Sequence, residues 1–259
     1  KRLIENIISL FTIKGLEYIL AFITFPYLVR VLQVENFGAV VFVQGIIQYF
    51  VLFTDYGFNL LGPKEIAQHD SIKERGKIFA SIFCAKLILL LISTIVFICM
   101  LIGAKYINDI DIILYSVVYL MVIGNVIFPI WFFQGIQQMR YITIVNIIGR
   151  FLSVACIFYF VKAPSDYILA GLFQAIVPLI AGICSWIILW KKYREVFILP
   201  KFKNVKQVFI DAWEIFTSTI AINLYTASNI VFLGLLTNNT IVGYFSGAQK
   251  IIQNINQLI

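Results

Sequence analysis

The chain has 259 residues, of which 61% are hydrophobic and 13% charged, and its mean hydropathy is +0.94. A soluble domain of this size has no core large enough for that much apolar surface, whereas a bilayer accepts it along helices of about 20 apolar residues each. The net charge of +7 comes from Lys and Arg spread over short loops between apolar runs, a pattern that orients a chain in a membrane and argues against a nucleic-acid surface.

In chain order, the apolar runs predict an all-α integral membrane protein, a polytopic bundle of eight spans at 8–32, 38–60, 78–103, 112–133, 143–161, 168–190, 212–236 and 242–259. Lys14, Glu17 and Arg30 interrupt the first run and no small-residue cleavage site follows it, so it reads as a retained span and not as a signal peptide. Pro26, Pro129 and Pro178 fall inside spans one, four and six, where each is expected to bend its helix. Ala163–Asp166 separates spans five and six, and Thr237–Thr240 is a tight polar turn between seven and eight. Thirteen Lys and Arg fall on the N-terminal side of the membrane against Lys105 and Lys162 on the other, which places the N-terminus in the cytoplasm.

The four cysteines lie in apolar runs without CxxC spacing, and His69 is the single histidine. Metal, disulfide and Ser-His-Asp frameworks therefore cannot be assembled, and no catalytic residue, metal or cofactor is expected.

Polar residues recur on helical faces inside the spans. Gln44, Gln48, Asp55 and Asn59 share one face of span two; Thr143, Asn146, Arg150 and Ser153 share one of span five; Ser246, Gln249, Gln253 and Asn256 share one of span eight. Five cations, Lys14, Arg30, Lys86, Arg150 and Lys250, lie within spans, where a charge costs about 2.5–3.5 kcal/mol unless it is compensated. Lys14 is expected to pair with Glu17 one turn on, and Arg30 and Lys86 have room to snorkel. Arg150 has the least. A hydrated cavity lined by these stripes leans positive and suits an anionic substrate, with the Arg fork matched to phosphate oxygens.

The chain also repeats itself. Residues 11–48 align without a gap on 216–253, an offset of 205, with eight identities that include Gly38/Gly243 and Gln44/Gln249. That is about twice the chance number for so apolar a composition. Six spans separate the copies, so both run in the same direction, as in two-lobed transporters. The expected domains are a six-helix lobe at 1–208 and the start of a second at 209–259.

Particular strings carry a resemblance: Phe25–Arg30 (FPYLVR), Phe37–Gly38 opening a helix, Asp55–Phe58 (DYGF), Lys64–Ala67 (KEIA), Thr237–Tyr244 and Ala248–Ile251. Together, and in order over essentially the whole chain, they resemble the O-antigen (Wzx-type) polysaccharide flippases of the multidrug/oligosaccharidyl-lipid/polysaccharide exporter superfamily. The resemblance implies a MATE-like bundle of about twelve helices in two lobes. It further implies movement of undecaprenyl-diphosphate-linked oligosaccharide across the bacterial inner membrane by alternating access, without covalent chemistry and with a polysaccharide polymerase as partner. This chain, which opens without Met and ends inside an apolar run, is then expected to be part of a longer protein. Arg30, Arg150, Lys86, Gln44, Gln48, Asn146 and Lys250 are the expected substrate-contacting residues, and Asp55 and Glu17 the carboxylates through which a cation gradient would couple. A cation-coupled multidrug exporter of the same fold would have a cavity dominated by carboxylates, and a membrane-embedded polymerase would need a large outer loop. The connections here are short.

Overall fold

The computed structural model describes the backbone of residues 2–107, 110–226 and 228–256, and side chains at 20, 22–106, 110–224, 228–250 and 252. Among these residues every regular element is helical. Helix α1 (Arg2–Asp55) covers the first two predicted spans as two arms, broken at Gln33, whose φ of 62° and ψ of 164° are not helical. On a straight helix the twelve steps from Phe25 to Phe37 would cover about 18 Å. Their ring centroids are 5.7 Å apart, so the chain doubles back at Gln33. Tyr27 donates to the Val161 carbonyl (2.7 Å) and Asn36 to that of Pro164 (2.9 Å), anchoring the reversal to the turn between spans five and six.

Two left-handed residues, Tyr56 (φ 50°) and Gly57 (φ 79°), separate α1 from α2 (Phe58–Ala67). Then follow α3 (Ile72–Ile107), α4 (Ile112–Ile127), α5 (Ile130–Gly135) and α6 (Met139–Phe160). A single 3-10 turn at Pro164–Asp166 leads into α7 (Tyr167–Lys192), and another at Arg194–Val196 precedes α8 (Phe202–Thr226). α8 and α9 (Ser228–Leu236) are bent by 50° at their junction, and α10 (Asn239–Asn256) closes the described chain. Asn238 caps α10 by accepting from the Ile241 N–H (3.0 Å), as a polar turn should.

Among the described residues five stretches are long and apolar enough to cross a membrane, or six if α8–α9 is one bent span, where the sequence led us to expect eight. Two features account for the difference. Phe22–Ala67 is continuous by helical assignment although it reverses at Gln33, and α10 carries Ser246, Gln249 and Lys250 along with further amides. Only one of the three span prolines ends a helix: Pro129 separates α4 from α5, while Pro26 and Pro178 lie inside continuous helices. The sharp breaks fall instead at Gln33 and at Tyr56–Gly57, where the backbone itself leaves the right-handed region.

Lipid tails are as apolar as Leu, so these helices associate through close packing, which small residues permit. α7 lies between α4 and α6, and a Cβ on Gly124 of α4 would sit 2.5 Å from Leu179 N, against Pro178. A Cβ on Gly149 of α6 would sit 2.9 Å from Val177 O. At the far end of the bundle α5 packs Trp131 on Gly62 of α2, within a cluster that includes Phe58, Phe79 and Phe132.

α1 meets α9 and α10 in a reciprocal way. A Cβ on Gly38 would overlap the Asn239 carbonyl, and a Cβ on Gly243 would overlap that of Val34. Residues 239 and 243 are 34 and 38 advanced by 205, the repeat offset. A second pair behaves alike: Gly45 faces Ile230 Cγ2 (3.2 Å from a built Cβ), and Lys250 Nζ lies 5.6 Å from the Phe25 ring centre, where 230 and 250 are 25 and 45 advanced by 205. Contacts in which i meets j′ and j meets i′ are the mark of a two-fold relation. The reversal at Gln33 likewise matches the α9–α10 turn at Asn238.

Because Gly38 and Gly243 serve one interface, Gly38→Val and Gly243→Val should each lower stability by about 1–3 kcal/mol through overpacking. Having separated the backbones once, the double variant should lose clearly less than the sum. Thermal unfolding in detergent micelles measures this, and strict additivity would contradict a shared contact.

Candidate polar sites within the bundle

Two places inside the bundle collect the polar side chains. The first lies where α1 ends. Gly57 can hold its left-handed turn because it has no Cβ, and one would meet Ile215 Cγ2 at 2.7 Å, so the break is seated on α8. Tyr56 stacks on Phe216 of α8, with centroids 4.3 Å apart. This fixes Asp55, the last residue of α1, opposite α3. Lys86 of α3, 2% exposed, brings its Nζ to 3.2 Å from Asp55 Oδ1. Ammonium and carboxylate compensate each other, and the negative end of the α1 dipole adds to the attraction. Around them is a cavity of about 220 Å³ lined by Gln48, Thr54, Asn59 and Asn125.

The pairing changes how Lys86 reads. It does not snorkel: it sits wholly inside protein with a carboxylate beside it, so its charge is largely answered within the bundle. Gln48 and Asp55 reach the cavity from one face of α1 and Asn59 reaches it from α2, beyond the left-handed break that interrupts the expected stripe, whereas Gln44, half-buried, does not line it. Asn125 and Thr54 are lining residues that the sequence reading missed. A lone Asn in the otherwise apolar span four is the signal that marks Asn125.

The second place lies where α10 packs on α1. Lys250 Nζ sits over two rings of α1, 5.6 Å from the Phe25 centre and 5.2 Å from that of Phe37, in cation–π geometry. Arg150 of α6 is near enough for the two positive charges to repel. Of their stripe partners, Asn146 and Gln249 are half-buried, while Ser153 (3%) and Ser246 (1%) are packed into protein. Ser246 donates back to the Gly243 carbonyl at 3.1 Å. Arg30 is exposed, three residues before the reversal. Lys14, Glu17, Gln253 and Asn256 lie outside the described side chains.

Comparison with known proteins agrees with this membrane-embedded polar architecture. A relative in Escherichia coli (strain K12), provisionally named an O-antigen transporter, is 34% identical over 256 residues, covering 98% of this chain and 61% of its own. One in Shigella dysenteriae with the same provisional name is 30% identical over 256 residues, covering 95% and 62%. The chain thus spans about three fifths of the length of these relatives. No solved structure gives a significant match. The family described as polysaccharide biosynthesis protein matches residues 3–259, the whole described bundle with both polar sites, and this multi-pass helical membrane chain belongs to it.

Proposed function

We propose that the protein is a flippase, which moves polyprenyl-diphosphate-linked oligosaccharide from the cytoplasmic to the outer leaflet of the bacterial inner membrane by alternating access. The observation that carries this reading is a pair of cations inside the bundle, Arg150 in the proposed first lobe and Lys250 in the second, whose charges repel each other. Like charges that repel within an apolar bundle favour an anion near both, and a diphosphate offers oxygens to each. Residues 1–208 then form the first lobe and 209–259 open the second, with the reciprocal Gly38 and Gly243 contacts at their junction. Gln44, Asn146 and Gln249 supply amide contacts beside the cations, and Arg30 extends the cationic path toward the outer face. The role is transport and not covalent chemistry, with a polysaccharide polymerase as the downstream partner. An exporter of organic cations is disfavoured because Asp55, the carboxylate on which it would rely, is occupied by Lys86.

The Asp55–Lys86 pair is the proposed coupling element. A proton or a small cation reaching Asp55 would release Lys86, and the two states differ in which partner neutralises the carboxylate. Removing one partner leaves a buried charge alone, so Lys86→Met should destabilise by about 3–5 kcal/mol and the double variant Asp55→Asn/Lys86→Met should recover most of that. The recovered double variant should still fail to couple transport to the ion gradient. Thermal unfolding together with gradient-driven transport in proteoliposomes tests both, and normal coupling in a stable double variant removes the pair from the mechanism.

Orientation is testable alone. Alkaline phosphatase fused within 191–208 should be inactive, since this basic segment is expected in the cytoplasm, and an active fusion in otherwise intact protein would contradict that orientation.

For the substrate site, Arg150→Ala and Lys250→Ala should each reduce delivery of lipid-linked oligosaccharide to the outer leaflet at near-normal protein level. A charge-assisted hydrogen bond is worth about 1.5–3 kcal/mol, or roughly ten- to a hundredfold in affinity. Arg150→Lys should rescue in part, keeping the charge and losing the fork. The measurement is complementation of surface polysaccharide in a flippase-deficient strain, normalised to inserted protein. Full activity of both Ala variants would refute the anionic site.

A further inference from the structure

A recess of about 1070 Å³ lies away from both polar sites, on the flank where α3, α4 and α7 meet the segment after α7. Its floor is aromatic and fixed. The Trp186 indole N–H donates to the Ile127 carbonyl (2.8 Å), Phe83 packs on its edge (4.9 Å) and Phe197 stacks on its face (5.6 Å). Ile183, Ile187 and Trp190 of α7 line the side and are 57%, 51% and 61% exposed.

Charge is confined to one end. Lys191 and Arg194 stand there, and no carboxylate lines the recess. The segment that carries Arg194 is held on α3, since a Cβ on Gly76 would meet Ile198 Cδ1 at 2.8 Å and Val196 Cα at 3.2 Å. The Arg194 guanidinium lies 4.9 Å from the Trp190 ring centre. Lys192, the cation between them in sequence, points elsewhere and donates to Tyr141 Oη at 2.8 Å. Of three cations within four residues, two are therefore aimed at the apolar recess and one is not.

We propose that this recess is a binding site for an anionic glycerophospholipid, with an acyl chain along Ile183, Ile187 and the aromatic floor and the phosphate between Lys191 and Arg194. Basic pockets between membrane helices at the headgroup level select anionic lipids, and Trp rings at the same depth favour the interface. The leaflet is the cytoplasmic one, a clause that rests on the orientation proposed above. The site itself does not, because lipid retention in micelles is independent of orientation.

The test uses the full-length protein in mixed micelles containing phosphatidylglycerol or phosphatidylcholine, with retained lipid counted by native mass spectrometry. Phosphatidylglycerol should be retained preferentially. Lys191→Gln/Arg194→Gln should reduce that preference by about thirtyfold, two cations at the strength usual beside an anionic leaflet, while Lys192→Gln leaves it unchanged. Ile187→Trp, which narrows the recess and spares both cations, should also weaken retention with thermal unfolding unaltered. An equal loss in Lys192→Gln would mean diffuse charge and overturn the site. So would retention unchanged by Ile187→Trp, or selective retention of undecaprenyl phosphate in place of phosphatidylglycerol, which would assign the recess to the transported lipid. Each failure leaves the Arg150–Lys250 reading and its complementation assay untouched.

Discussion

A charge carried into an apolar bundle must find compensation there, and the organisation of this chain follows from how each buried charge finds it. Lys86 finds Asp55, which requires α1 to end at residue 55 and α3 to pass beside that end. The turn that ends α1 is possible because Gly57 has no side chain to strike Ile215, so a single missing Cβ places the carboxylate. Lys250 instead receives the faces of Phe25 and Phe37, two rings that meet only because the chain reverses at Gln33. Each arrangement answers one cation with what its helix neighbours can offer: a full negative charge in one place, ring quadrupoles in the other. The second answer is weaker, and a repelling Arg150 stands nearby.

Close helix packing supplies the rest of the framework. Burial among helices gains little hydrophobic free energy over burial in lipid, so what holds the elements in register is shape, expressed here through glycine. Gly124 and Gly149 seat α7 between α4 and α6, and Gly62 admits Trp131. Gly38 and Gly243 lie against the backbone of each other's helical pair, so main chain meets main chain where the two copies of the repeat touch.

The coarse plan was legible in the sequence. Periods of 3.6 residues and runs of about 20 apolar residues are local properties, and Gln48 and Asp55, two turns apart on α1, line one cavity because helical spacing fixes which side chains lie on one face, while Asn59 joins them from α2 across the break at Tyr56–Gly57. Where the reading fell short, the cause was again local. A proline at Pro26 or Pro178 can be absorbed by a continuous helix, whereas nothing in the side chain of Gln33 or Tyr56 announces a left-handed or extended break. Gln44 left its stripe's cavity because the cavity occupies one stretch of the face and not its full length.

The sequence by itself determined the membrane class, the all-helical architecture, the repeat at an offset of 205 and which residues carry charge into the apolar runs, since all of these depend on composition and spacing along one strand of chain. Only the tertiary structure decided the partners: Lys86 with Asp55, Lys250 with the rings of Phe25 and Phe37, Gly38 with the Asn239 carbonyl and Gly243 with that of Val34. A partner is chosen by helices distant in sequence meeting at a particular depth and rotation. Those quantities are set by glycine contacts and backbone breaks whose effect appears only when the whole bundle is packed.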